Sequence, residues 1–268
     1  EDDAATAAMQ AVLEAATALP ADGWLARIAE GAPRGPAEAF LARVRQQVLA
    51  RAKSEDGPYS LETTTAEPVE GLLAAAEHLV RAMERLVAPM KELARLLGER
   101  LDRQAAELDT ASRSRIEAAI RSIGRRQRIA AAWAGMLKDV LAGAVPEQFI
   151  DWFSVERSDG READVGFHRH WIDPTRPFAA AVLSPAHGAL ITSATLRDRT
   201  VDADDDMLWQ AAEVRTGAAH LPLPARRSGL LSPFDYAGRT RVIVVTDVRR
   251  DDAAQVSAAY RELFLAAG

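Results

Sequence analysis

The sequence contains no cysteine, and this absence removes several kinds of site at once. Without thiols the chain has no disulfide framework, no cysteine nucleophile, no thiolate metal site and no cysteine ligands for an iron–sulfur cluster. Lysine is also rare, with three residues in 268, so arginine carries almost all of the positive charge. The formal net charge of −6 argues against attraction of the whole molecule to nucleic acid, but it is compatible with a local basic face.

Long apolar runs are missing as well. No stretch of about 18 apolar residues occurs, so we expect no transmembrane helix. The first residues have neither the basic start nor the apolar core of a signal peptide, and we therefore expect a cytoplasmic protein with no membrane partner. Hydrophobic residues make up 48% of the chain, which is enough for a substantial core.

The first half of the chain has the spacing of helices. Residues 4–19 and 36–53 are rich in alanine, and their apolar residues recur at steps of three or four. Residues 54–68 are polar and contain glycine and two prolines, which predicts a loop. This half is therefore expected to be nearly all helix.

The strongest pattern lies in residues 69–108, where an apolar stripe predicts one long helix. Pro89 inside the stripe predicts a kink or a break, because proline lacks the N–H that a helix interior needs. A second helix is predicted from about residue 110 to 141, with capping-box spacing at residues 114–117 and an end at Gly143. Together they predict a long antiparallel hairpin, and a coiled-coil rod is the other interpretation of the same pattern.

From Phe149 onward the apolar period changes to two, which indicates strands. A hairpin is predicted around the turn at residues 158–160, and the apolar runs at 188–192 and 241–247 are predicted to be buried strands. Alternating strands and helices favour α/β layers with a mostly parallel sheet. The fold class is thus α+β overall, with a helical domain followed by α/β segments. Helices are predicted at 177–185, 204–216 and 251–267.

Three short elements of the second half occur in a distinctive order. Residues 188–198 read G-A-L-I-T-S-A-T-L-R-D, residues 170–174 (H-W-I-D-P) precede them, and residues 232–236 (S-P-F-D-Y) follow. In order and spacing this resembles the DinG/XPD-like branch of superfamily 2 ATP-dependent DNA helicases, with its "TSATL" motif III and its "SPF(D)" element. The resemblance covers roughly residues 149–268 by motif. It covers the helical half by position only, where this branch carries a helical arch.

The resemblance implies three parts: an arch-like helical domain (1–145), the end of the first RecA-like motor domain (146–200) and the start of the second (201–268). It also implies that motif III couples the ATP site to the DNA-facing surface. The parent would be an ATP-dependent DNA helicase that moves 5′ to 3′ along single-stranded DNA. Its partners would be that DNA and the remaining motor-domain segments of the same polypeptide. The residues that the resemblance places in these roles are Thr192, Ser193, Ala194 and Thr195 in motif III and Ser232, Pro233 and Phe234 at the entry to the second motor domain.

The departures from the family pattern are equally informative. The chain has no G-x-x-x-x-G-K-[ST] phosphate loop, no DEAH box, no motif VI arginines and no cluster cysteines. In the family these elements lie outside the part that this chain resembles. We therefore expect an inactive fragment with no complete catalytic set and no cofactor of its own. The parent would use ATP and Mg²⁺, and any iron–sulfur cluster in it would lie outside this chain.

The most basic stretch is residues 113–128, in which Glu117 is the only acid. On a helix, Arg121, Arg125 and Arg128 share one face, and isoleucines lie opposite. Guanidinium groups suit the phosphates of single-stranded DNA. A solvated face paired with acids of the neighbouring helix explains the same pattern, and both interpretations stay open.

Other polar groups are weaker candidates. His168 and His170 lie on one side of a predicted strand, but no third ligand follows at a suitable spacing, so no metal site is expected. The acids at 204–206 favour a helix start over a cation site. Asp235 and Tyr236 either contact DNA or cap the structure that follows. The alternatives to a helicase are a non-enzymatic helical-hairpin interaction module and a nucleic-acid-binding regulator without ATP chemistry.

Overall fold

The computed structural model describes residues 3–52, 57–104, 106–197, 204–230 and 232–267, which form two compact units, Glu1–Pro177 and Phe178–Gly268. The elements of the first unit are α1 (Asp3–Ala16), α2 (Trp24–Ala29), α3 (Gly35–Arg51), β1 (Leu61–Thr64), α4 (Leu72–Arg103), α5 (Thr110–Ala142), β2 (Phe149–Ser158) and β3 (Arg161–Trp171). A short helix, α6 (Thr175–Phe178), ends at the boundary. The second unit contains a π-helical turn (Ala179–Leu183), α7 (Asp205–Thr216), a 3₁₀ turn (Ala218–His220), α8 (Tyr236–Arg239) and α9 (Ala253–Ala267).

The predicted long helical hairpin is confirmed as α4 and α5. The apolar stripe of α4 is buried, from Leu72 to Leu93, and α4 packs along α5 and also against α1 and α3. It is therefore part of a packed unit and not a separate rod. The helix continues through Pro89, so the predicted break is absent, and buried residues lie on both sides of the proline.

The predicted start of α5 near residue 110 is confirmed, because the helix begins at Thr110. The capping-box spacing at residues 114–117 did not identify the cap, which is Asp109; its side chain accepts a hydrogen bond from the Ser112 amide at 2.7 Å. The predicted end is confirmed, since Gly143 adopts a φ of +66° and closes the helix.

A three-stranded antiparallel sheet, in the order β1-β2-β3, covers one side of the helices. The hairpin between β2 and β3 is confirmed, and Asp159 and Gly160 at its turn have φ of 52° and 76°, as its tight geometry requires. Phe153 pairs with Phe167 in the register, and both contact Phe40 of α3. The core of this unit therefore lies between the sheet and the helices α3, α4 and α5.

The prediction of a loop over residues 54–68 was wrong for Leu61–Thr64, which form β1. This strand pairs with β2, and its side chains alternate between half-buried and exposed. The buried amide of Gln47 holds the chain beyond it by donating to the Thr64 carbonyl at 3.0 Å and accepting from the Val69 amide at 3.1 Å. A four-residue polar strand has no periodicity to detect, so only its partner strand identifies it.

In the second unit the two predicted buried strands were wrong. Residues 188–192 and 241–247 form no strand, and their apolar side chains are exposed, including Leu190 at 91% and Val242 at 86%. The helices predicted at 204–216 and 251–267 are confirmed as α7 and α9, with Trp209 buried as expected, and the one predicted at 177–185 is a short π-helical turn, Ala179–Leu183. A strand needs neighbours for its N–H and C=O groups, and no described residue of this unit provides one.

The α+β class is confirmed, but the sheet within the described residues is antiparallel instead of parallel. The predicted domain boundaries lay at 145/146 and 200/201, whereas the two compact units divide at 177/178. The β2–β3 hairpin is in the same unit as the long helices because its inner face packs against α3. None of the described helices is both long and apolar enough to cross a membrane.

Candidate nucleic-acid interface

Arg121, Arg125 and Arg128 lie together on the exposed side of α5, as their spacing predicted. The opposite side of the helix packs toward the rest of the unit. There Ile116, Ile120 and Ile123 are half-buried and Ala130 is buried. One side of α5 is thus an exposed cationic edge, and the other side packs against the rest of the unit.

The partners of these arginines bear on the two interpretations of the basic stretch. Arg121 approaches Glu117 of its own helix, with Nη1 and Oε2 3.7 Å apart, and both groups are largely exposed, so the pair is weak. Within the described residues, Arg125 and Arg128 have no hydrogen bond or ion pair. The acid of α4 that pairs across the hairpin, Glu84, contacts Lys138 instead, at 2.7 Å. Two guanidinium groups therefore remain available to an anionic ligand.

An exposed aromatic side chain on the same helix was missed from the sequence. Trp133 is 51% exposed, and Ile129, one turn before it, is 46% exposed. Steps of four residues lead from Arg121 through Arg125 and Ile129 to Trp133, and this spacing was the signal in the sequence. Bases stack on exposed aromatic rings, so an exposed tryptophan on the helix that carries the arginines suits a single strand.

A buried ion network attaches the C-terminal part of α5 to the sheet. Arg169 of β3 donates two hydrogen bonds of 2.7 Å to Asp151 of β2 and lies 2.7 Å from Asp139 of α5. Its guanidinium also lies 4.7 Å from the centre of the Phe149 ring. The Asp151 side chain is fully buried, and its hydrogen bonds raise the pKa of Arg169, against the opposing effect of burial. This network holds the basic helix in place relative to the sheet.

The motif III residues occupy an exposed turn of the second unit. Ser193 Oγ accepts a hydrogen bond from the Thr195 amide and lies within hydrogen-bond distance of Thr195 Oγ1, both at 3.2 Å. Thr192 and Ala194 are exposed as well. This is the ordinary bonding of serine and threonine in a turn, and the strand predicted before it is absent.

Ser232, Pro233 and Phe234 are also exposed in the second unit. Ser232 Oγ accepts from the Phe234 amide at 3.3 Å, and the Phe234 ring lies 6.1 Å from that of Tyr236. Asp235 accepts from the Gly238 amide at 2.9 Å and so caps α8. Of the two roles considered for Asp235, the structure provides the capping role.

The two histidines lie on the outer face of the sheet beside Trp152. His168 stacks on that ring at 5.0 Å and His170 meets it edge-on at 4.8 Å. His168 Nε2 is 2.7 Å from Ser154 Oγ, and it lies over Gly166, where a Cβ would be only 2.3 Å away. The described residues contain no cluster of three potential metal ligands. At the acidic run, Asp204 caps α7 through the Met207 amide.

The structure therefore places the three arginines on one exposed side of α5, and Trp133 is exposed on the same helix. No hydrogen bond among the described residues joins the motif III turn to Ser232 or its neighbours. Comparison of the chain with protein-family models, with curated proteins and with solved structures finds no match.

Proposed function

We propose that this chain is the arch-like domain and the adjoining motor segments of a DinG-like, ATP-dependent DNA helicase that moves 5′ to 3′ on single-stranded DNA. The observation that carries the proposal is the exposed edge of α5, on which Arg125 and Arg128 have no partner within the described residues and Trp133 is exposed. The choice of helicase family in this proposal comes from the order and spacing of the motif-like elements in the second half of the chain.

The geometry of α5 suits a flexible strand. At about 1.5 Å per residue, Arg121 and Arg125 are about 6 Å apart along the helix axis, and Trp133 is about 12 Å beyond Arg125. Phosphates would contact the arginines in succession while a base stacks on the indole. Such contacts are insensitive to base sequence, which is what a translocating enzyme needs.

The exposed apolar runs of the second unit support the motor assignment. Residues 188–192 and 241–247 have the composition of strands buried on both faces, yet Leu190, Val242 and Val244 are 91%, 86% and 77% exposed. Exposed apolar surface of this extent marks a region that another segment covers. In the proposed parent, the remaining motor-domain segments would pair with these runs to form the RecA-like sheets.

In that parent the phosphate loop and the Mg²⁺ ligands would be supplied by the remaining motor segments. Thr192, Ser193, Ala194 and Thr195 would couple closure of the motor cleft to DNA movement. Ser232, Pro233 and Phe234 would lead into the second motor domain. The motif III residues and the Phe234 ring are exposed and so accessible for such contacts.

The test is the salt dependence of binding to single-stranded DNA. We compare the chain with the Arg121→Gln/Arg125→Gln/Arg128→Gln variant, in which loss of three phosphate contacts should flatten the log–log slope by roughly 2. A matched control removes the same charge from three exposed arginines that already have partners. The control variant is Arg95→Gln/Arg103→Gln/Arg126→Gln. Equal slopes for the chain and both variants would leave the α5 arginines as a solvated face.

The second candidate, a nucleic-acid-binding regulator without ATP chemistry, is favoured by the same basic edge. It predicts identical DNA binding but no strand separation. Unwinding of a duplex with a 5′ single-stranded tail by the parent protein and ATP distinguishes the two, because a regulator would leave the duplex intact.

A further inference from the structure

A second basic feature of the first unit is lined by residues of α3 and α4 and by none of α5. A shallow groove of about 320 Å³ runs between the start of α3 and the middle of α4. A further groove of about 400 Å³ adjoins it along α4 and shares Arg81 and Arg85 with it. The lining residues of the first groove are Gly35, Pro36, Ala39, His78, Arg81 and Arg85.

The two sides of the groove differ in chemistry. His78, Arg81 and Arg85 recur at steps of three and four on α4, so they project along one side, and all three are exposed. The side formed by α3 carries only a glycine, a proline and an alanine. Small residues opposite a row of cations leave space for a ligand to approach the guanidinium groups.

The acids close to the groove do not neutralise it. Arg81 pairs with Glu77 at 2.8 Å, but both side chains are more than half exposed, so the pair is weak and easily exchanged. Glu84, which lines the adjoining groove, pairs with Lys138 at 2.7 Å. Within the described residues, Arg85 and His78 have no hydrogen-bond or ion-pair partner. The groove therefore has an excess of positive charge in a chain whose formal net charge is −6.

The positive charge continues along the seam between the two helices. Near the start of α4, the Arg43 side chain of α3 lies against Gly71, where a Cβ would be 3.2 Å from Arg43 Nε. The two helices are thus antiparallel, since Ala39 lies by Arg85 in the groove and Arg43 by Gly71. From Gly71 to Arg85 the seam is about 21 Å long at 1.5 Å per residue. That length accommodates several phosphate groups in a row.

We propose that this groove binds phosphate groups, with Arg85 and Arg81 as the main ligands and His78 beside them. The planar guanidinium presents a fork of donors that matches phosphate oxygens, and two forks one turn apart can hold adjacent groups. The phosphates come either from the backbone of a single-stranded nucleic acid or from a free polyphosphate. The site depends neither on the α5 arginines nor on the helicase assignment, because its contacts lie on α3 and α4.

The experiment uses the full chain and two probes, tripolyphosphate and a twelve-residue oligothymidylate. The Arg81→Gln/Arg85→Gln variant should bind tripolyphosphate roughly tenfold more weakly, and its log–log salt slope with the oligonucleotide should flatten by about 1.4. The matched control is Arg95→Gln/Arg103→Gln, which removes two exposed arginines from the same helix, both paired with acids. It should bind both probes as the unmodified chain does, and circular dichroism should show that both variants are folded.

The outcomes separate the source of the phosphates from the existence of the site. If the Arg81→Gln/Arg85→Gln variant loses oligonucleotide binding and the unmodified chain does not bind tripolyphosphate, the ligand is the nucleic-acid backbone. Tripolyphosphate that binds and displaces the oligonucleotide identifies polyphosphate as a ligand too. The Arg121→Gln/Arg125→Gln/Arg128→Gln variant should keep its tripolyphosphate affinity, because those side chains lie elsewhere. The proposal is overturned if the unmodified chain binds neither probe, or if the Arg81/Arg85 variant and its control bind equally well.

Discussion

At the scale of single residues, Glu38 shows how a charge is kept inside this protein. It lies in the first turn of α3, almost fully buried, and accepts hydrogen bonds from Arg27 through both carboxylate oxygens. The Arg34 amide donates a third, at 2.8 Å. These bonds, those from Arg27 first, lower the pKa of Glu38 from 4.5 to about 2 despite its burial. Glu38 therefore stays ionised in the folded state well below the pH at which it would be protonated when unfolded.

This pKa difference predicts a pH dependence of stability. Because the folded pKa is the lower one, the contribution of Glu38 is complete above about pH 4.5 and is lost as the pH falls toward 2. The Glu38→Gln variant should be less stable at pH 7, and its free energy of unfolding should change less between pH 4.5 and 2. Urea unfolding at several pH values measures this. Parallel pH profiles for the two proteins would contradict the assignment, and Glu70→Gln, at an exposed position, is the control.

At the scale of elements, the Arg169 network joins α5 to β2 and β3. Asp151 has a fully buried side chain, whereas that of Asp139 is 30% exposed, so the two carboxylates are not equivalent. We expect Asp151→Ala to lower the free energy of unfolding by about 3 kcal/mol, because it leaves a guanidinium with little access to water short of a partner. Asp139→Ala should cost clearly less, since water can replace its carboxylate. Chemical denaturation of both variants measures the two losses in free energy of unfolding. Equal losses would show that the burial of a carboxylate does not determine how much it stabilises the protein.

The exposed tryptophan of α5 makes a separable contribution to binding. Trp133→Ala should weaken binding to single-stranded DNA by about 1–3 kcal/mol if one base stacks on the indole. The salt slope should stay the same, because no phosphate contact is removed. Titrations at several salt concentrations distinguish this from the loss of an arginine. Ile129→Ala, one turn away, is the control, and an equal loss of affinity for it would mean that general apolar surface acts here instead of stacking.

At the scale of the whole molecule, the proposal places the ATP site in other segments of the parent and so predicts that the chain alone is inactive. The sequence has no phosphate loop and no DEAH box, so nothing in it would hold the triphosphate and its Mg²⁺ in position. The purified chain should release no phosphate from ATP above a no-enzyme blank, with or without single-stranded DNA. Turnover that persists through chromatography with the chain would place an ATP site within these 268 residues and refute the claim that the catalytic parts lie in other segments of the parent.

The long helices could be predicted because apolar residues at every third or fourth position lie on one side of a helix, where they can be buried together. The stripe from Leu72 to Leu93 and the hairpin turn at Asp159 and Gly160 are local patterns with direct geometric consequences. Residues 241–247 had an equally clear pattern, yet they form no strand. Strand formation depends on hydrogen bonds to another segment, and no run of residues contains that information by itself.

The same distinction holds for the candidate site. Helical spacing alone placed Arg121, Arg125 and Arg128 on one face, because positions on one helix are related by a fixed rotation. Three further features depended on which elements pack together. Arg125 and Arg128 lack partners within the described residues, Trp133 is exposed on the same helix, and His78, Arg81 and Arg85 meet the start of α3 in a groove. The sequence by itself determined the local geometry of the helices and the hairpin. Only the tertiary structure decided which charges are neutralised, because ion pairing and burial join residues far apart in the chain.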